Sequence, residues 1–109
     1  MQTWDTRSLD VEPHQPQVLH SGEEGRTIVI HLPAGEELRQ HQVHERAWIF
    51  VADGQVEIED SNGNSFEAGP GGLALTAPNE RHEVRAKEDS RIVLVLAPWP
   101  GEGHPSQPR

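Results

Sequence analysis

Apolar residues recur at every second position along short segments of this chain, and no segment carries them at helical spacing. Thr27-Ile28-Val29-Ile30-His31-Leu32 puts Ile28, Ile30 and Leu32 on one face of an extended chain, and Pro33-Ala34-Gly35 ends the run. In Arg81-His82-Glu83-Val84-Arg85-Ala86 the alternation places His82, Val84 and Ala86 on one side and the charged residues on the other. Further strands are expected at Gln17 to His20 on a sheet edge, Ala47 to Val51, Gln55 to Glu59, Leu73 to Thr76 and Ile92 to Leu96. Between them lie turn signals: Asp53-Gly54, read as a tight hairpin, Asn62-Gly63, Gly69-Pro70-Gly71-Gly72 and Ala77-Pro78-Asn79-Glu80. About eight short, evenly spaced strands predict an all-β fold, an antiparallel sandwich or barrel with little or no helix.

Trp48-Ile49-Phe50-Val51 is apolar without interruption, so this strand needs cover on both faces. One face meets the sandwich interior. The face bearing Trp48 and Phe50 calls for a second layer, either the N-terminal arm with Trp4, Leu9 and Val18 or a second copy of the chain. The second copy is preferred, because large exposed apolar patches on monomers are uncommon. The expected organisation is an extended arm over residues 1–16, a barrel over 17–98 and a disordered polar, proline-bearing tail over 99–109.

Composition narrows the picture. A chain of 109 residues buries roughly two-thirds of its unfolded surface, enough for one core. Only 33% of residues are apolar, with ten Gly and nine Pro, which suits short strands and many turns. A net charge of −9 and the lack of any basic stripe argue against nucleic acid and anionic membranes as partners. Cysteine is absent, which removes disulfides, thiolate ligands and thiol nucleophiles. No run reaches the ~20 apolar residues of a membrane span, and the first residues carry no secretory apolar stretch, so a cytoplasmic location is expected. There is no GxSxG elbow, no P-loop and no tyrosine.

Two spacings carry the chemistry. Gly35 is followed by five residues and His41, then Val43, Ala47 and Gly54. Gly71 is followed by Pro78, Asn79 and His82. In this order the two resemble the paired motifs of the cupin family. The first of these runs glycine, five residues, His, one residue, His, three or four residues, Glu, six residues, glycine. The second runs glycine, five residues, proline, one residue, glycine, two residues, His. The likeness spans residues 35 to 82, with flanking strands extending it over most of 17 to 98. Val43 stands in place of the second histidine, Ala47 in place of the glutamate and Asn79 in place of a glycine, and the proline comes one place late, at Pro78. Asn tolerates a left-handed backbone, so the second turn is expected to survive.

The resemblance implies a jelly-roll barrel, a homodimer, and a pocket in which metal-binding members hold iron, manganese, nickel or zinc through three histidines and a glutamate. Such a metal needs about three N or O ligands, and here the matching positions supply His41 and His82. If residues 41 to 51 form one strand, His41, Val43, Glu45 and Ala47 share a face and Glu45 stands in for the missing carboxylate. If a bulge or loop precedes Ala47, His44 turns inward instead. The alternative to a divalent metal site is a metal-free pocket in which His41 and His82 bind water or a ligand. His14, His20 and His104 fall in polar, proline-bearing segments and are expected at the surface; His31 shares a face with Thr27 and Val29.

Two functional classes stay open. One is a binding module for a small molecule or a metal. The other is an oxygenase, isomerase or lyase, with His41 or His82 as base or ligand and Arg39 or Arg46 orienting an anionic substrate. Loss of two motif ligands favours the first.

Overall fold

The computed structural model describes residues 1–42 and 45–97, with backbone alone for residues 39–42. The expected tail over 99–109, with His104, and the candidate His44 lie outside the described residues. In chain order the strands are β1 Gln17–Gly22, β2 Gly25–Leu32, β3 Glu37–Gln42, β4 Arg46–Asp53, β5 Val56–Asp60, β6 Ser65–Ala68, β7 Leu73–Thr76, β8 Arg81–Ala86 and β9 Ser90–Ala97. They form two antiparallel sheets, β1-β2-β9-β4-β7 and β3-β8-β5-β6, the all-β fold expected from the alternation in the jelly-roll form that the resemblance implies. Among the described residues no helix is long and apolar enough to cross a membrane.

Parity fills the space between the sheets. Ile28, Ile30 and Leu32 of β2, Ile49 and Val51 of β4, and Ile92 and Leu96 of β9 meet Val56, Ile58, Val84 and Ala86 of the facing sheet, all buried. Each fully buried aliphatic side chain of this kind contributes about 1.5–3 kcal/mol.

One expectation needs correction, and one of two open alternatives falls. Asp53-Gly54 does not close a hairpin, because β4 belongs to the five-stranded sheet and β5 to the other. It is a corner that carries the chain between layers. Gly54 has φ 90° there, and a Cβ would lie 2.2 Å from Ser90 Oγ and 2.5 Å from the Asp89 carbonyl oxygen, so only glycine fits. The Gln55 amide donates to Ser90 Oγ at 3.1 Å and ties the corner to the start of β9. Of the two alternatives for residues 41 to 51, a single strand falls: β3 ends at Gln42 and β4 begins at Arg46, in different sheets. By contrast, Asn62-Gly63 turns β5 into its antiparallel partner β6, and Asp60 Oδ1 accepts the amides of Asn62 and Asn64, each at 2.9 Å.

The arm lies on the outer face of the five-stranded sheet. Pro13 bridges to His31 of β2. His31 Nε2 is 2.8 Å from Asp89 Oδ1 and Nδ1 is 3.3 Å from the Val11 carbonyl, while the Arg91 guanidinium donates to the Leu9 carbonyl. Val11 and the outward-facing Val29 are buried. Further across the same face Trp48 pairs in register with Leu75 and Val95, and Phe50 with Leu73 and Val93. Trp48, Phe50, Leu73 and Leu75 remain 39%, 37%, 52% and 48% exposed.

Candidate functional site

His82 enters the barrel from β8 and is buried at 4% exposure, flanked along the strand by buried Val84 and Ala86. The turn before it aims the strand. Asn79 has φ 65°, the left-handed backbone that its side chain tolerates in place of glycine. The Ala77 amide donates to Glu80 Oε1 at 2.9 Å and the Glu80 amide to the Ala77 carbonyl at 3.1 Å, closing the same turn.

His82 occupies the middle of a cross-strand row, paired in register with His41 of β3 on one side and with Asp60 of β5 on the other. Asp60 is committed to the β5–β6 turn: besides the two amides it accepts Asn64 Nδ2 at 3.2 Å. That side-chain hydrogen bond, with backbone amides behind it, holds its carboxyl below the ordinary Asp value.

A cavity of about 110 Å³ opens between the sheets beside His82. Ile28 and Ile30 of β2, Leu94 and Leu96 of β9, Leu38 of β3 and Ala47 of β4 supply its aliphatic wall, and Pro16 closes one edge. Ala47 is 1% exposed and occupies the place where the family motif has a glutamate, so a methyl group faces space that a longer side chain would fill. Among the described residues the charged or titratable groups on its lining are Arg26 and His82, reaching it from different sheets. A second hollow of about 190 Å³ reaches His82 from the other side, between the β5–β6 hairpin and β7, and carries Glu59, Asp60 and Glu80.

Arg26 is absent from the expected site residues. The signal for it is the β2 alternation itself: continued two residues back from Ile28, the face that holds Ile28, Ile30 and Leu32 includes Arg26. The expected strand start at Thr27 cut it off. Arg46 moves the other way. It shares the outward parity of Trp48 and Phe50, is exposed, and is not among the described residues that line the cavity. Arg39 lies on β3, where the description covers backbone only.

Of the metal-ligand candidates, His82 and Glu45 are both buried, Glu45 at 3% exposure just before β4. Glu45 does not share a strand face with His41, since β3 and β4 are separate strands. Among the described residues no group of three or more His, Cys, Asp or Glu side chains is assembled as a metal site. The described donors thus number fewer than the three a first-row divalent ion needs.

The fold and sequence both have relatives. Structures of similar shape include an RmlC-like cupin protein from Desulfovibrio desulfuricans, with TM-score 0.80 and 20% identity over 90% of this chain and 97% of that one. KdgF from Halomonas sp. has TM-score 0.71 and 24% identity over 83% and 85%. Among curated proteins, the L-ectoine synthase of Thermobifida fusca is 34% identical over 68 residues, 62% of this chain and 51% of that protein. The chain therefore spans about half the length of that relative. The family model described as Cupin domain matches residues 28–98, and the chain belongs to the cupin domain family.

Proposed function

We propose that the barrel cavity beside His82 is the binding site of a small molecule. The observation that carries this is the cavity's make-up: a largely aliphatic space between the sheets with a buried histidine in its wall, the arrangement of ligand sites generally. Kinship with L-ectoine synthases, whose name assigns them a small organic product, supports the same scale of ligand. His82 is suited to orient the ligand or to exchange a proton with it, because imidazole titrates near neutrality. Catalysis as an oxygenase, isomerase or lyase would use the same cavity with His82 in contact with the reacting group. The cysteine-free composition suits work in the reducing cytoplasm.

A divalent metal is the second reading, supported by the register pairing of His41 with His82 and the burial of Glu45. Near-stoichiometric metal in untagged protein that disappears in a His41→Ala, His82→Ala double variant would establish it. The same comparison tests binding. A panel of small polar metabolites should raise the melting temperature of the parent with at least one member, and His82→Ala should fold and lose that shift; an identical shift in the variant would place binding elsewhere.

The partner of the exposed Trp48–Phe50 face is a second copy of this chain. Two apolar rows, Leu75-Trp48-Val95 and Leu73-Phe50-Val93, support that assignment, since a contiguous apolar patch of this kind marks an interface.

A further inference from the structure

We propose that residues 13–16 are the door of the barrel cavity, and that a ligand enters when the N-terminal arm lets go of its latch on His31 and Arg91. The inference rests on the cavity being a ligand site.

Among the described residues that line the cavity, Pro16 is the one exposed to solvent and the one that belongs to no strand. Every other lining residue sits on β2, β3, β4, β8 or β9, where ladder hydrogen bonds to neighbouring strands hold it in place. The part of the wall that moves at least cost is therefore Pro16.

Its place in the fold suits that role. β1 is an edge of the five-stranded sheet and β3 an edge of the four-stranded one. Pro16 immediately precedes β1, and His14 Nε2 lies 3.8 Å from Glu36 Oε1, just before β3. Residues 13–16 thus cross from one sheet edge to the other, bending at His14, where φ is 65°.

The crossing is lightly tied. Pro13 and Pro16 have no amide hydrogen to donate. The Gln15 amide stays within the arm, on the Glu12 carbonyl at 3.2 Å, and the His14 amide reaches the His31 carbonyl at 3.5 Å, longer than the common range of about 2.7–3.2 Å. The latch lies further back along the arm: Arg91 donates to the Leu9 carbonyl, the His31 ring is 3.3 Å from the Val11 carbonyl, and Arg7 Nη2 is 3.8 Å from Asp53 Oδ1. Val11 is the one buried residue among residues 1–16. A segment with so few buried apolar contacts opens locally, without unfolding of the sheets behind it.

The chain has no cysteine, so Ala47→Cys sets a single thiol on the cavity wall, and Val84→Cys sets one in the core away from the cavity lining. Both are exposed to methyl methanethiosulfonate, and labelling is followed by mass spectrometry with and without low urea. Ala47→Cys should label faster than Val84→Cys, at a rate nearly independent of urea, because opening a door exposes little surface. Adding Arg91→Ala, which removes the donor to the Leu9 carbonyl, should speed labelling of Ala47→Cys about tenfold, the scale of one hydrogen bond to a charged group. The same change should speed Val84→Cys by less. Equal rates at the two positions, a rate at Ala47→Cys that climbs with urea as global unfolding does, or no acceleration by Arg91→Ala would overturn the door. The urea dependence decides the matter even if the Arg91→Ala variant does not fold. Fast labelling of a protein that shows no ligand-induced melting shift would leave the door and remove the ligand-site reading. A ligand-induced shift with Ala47→Cys as protected as Val84→Cys would remove the door alone.

Discussion

Arg26 on β2 and His82 on β8 reach one 110 Å³ cavity from different sheets, the first from the five-stranded layer and the second from the four-stranded. A ligand between them touches both layers, which makes the spacing of the sheets, rather than any loop, the element that holds the two groups in position. Ala47, on the wall of the same space, keeps it open by being small.

Filling the space should therefore block it. Ala47→Leu adds three carbons to a buried position that faces the cavity, where overpacking elsewhere in a core costs about 1–3 kcal/mol. The expected result is a melting temperature within a few degrees of the parent and loss of any ligand-induced shift, measured by differential scanning fluorimetry. A variant that retains the shift would place the ligand outside this cavity.

The core supports the site from behind. Ile92 is fully buried between the sheets, so Ile92→Ala should lose about 2–5 kcal/mol in chemical denaturation, the cost of removed contacts plus the void left behind. A loss under about 1 kcal/mol, small on that scale, would show the sheets closing over the gap.

The layers were legible in the sequence and their connections less so. Ile28, Ile30 and Leu32, and likewise His82, Val84 and Ala86, declared their inward face through period-two alternation, because burial on one face is what that period records. Asp53-Gly54 misled because a glycine with positive φ serves a hairpin and an inter-sheet corner equally well, and only the packing of Ser90 against Gly54 distinguishes them. Arg26 was missed because a charged residue at the end of an apolar alternation reads as the end of the strand; pairing of Arg26 with Leu96 shows the strand continuing. The outward parity of Arg46 was not legible because the expected strand began at Ala47, one residue after the start of β4.

The exposed aromatic face predicts self-association. Sedimentation equilibrium should show a dimer for the parent and a monomer for Trp48→Glu, which sets a carboxylate into the row formed with Leu75 and Val95. A monomeric parent at high micromolar concentration would leave that face for another partner.

Acid should weaken the four-stranded sheet in a defined direction. Glu57 is held below its ordinary value by the hydrogen bond from Arg85, and Asp60 by that from Asn64. A carboxylate depressed in the folded state contributes stability above its unfolded value, near pH 4 in each case, and that contribution is lost as pH falls through the folded value. Melting temperature should drop from about pH 4 downward, and Asp60→Asn should show a shallower acid slope than the parent. An unchanged slope would mean that the β5–β6 turn keeps its hydrogen bonds when Asp60 is protonated.

The most direct test of the cavity as the ligand site is a backbone amide NMR titration of the parent protein with the small polar metabolite that raises its melting temperature. Shifts concentrated at Ile28, Ile30, Ala47, His82, Leu94 and Leu96, saturating with one binding constant and absent in Ala47→Leu, are the predicted result. Shifts centred on the outer face at Trp48 and Phe50, or saturation unaffected by Ala47→Leu, would contradict it.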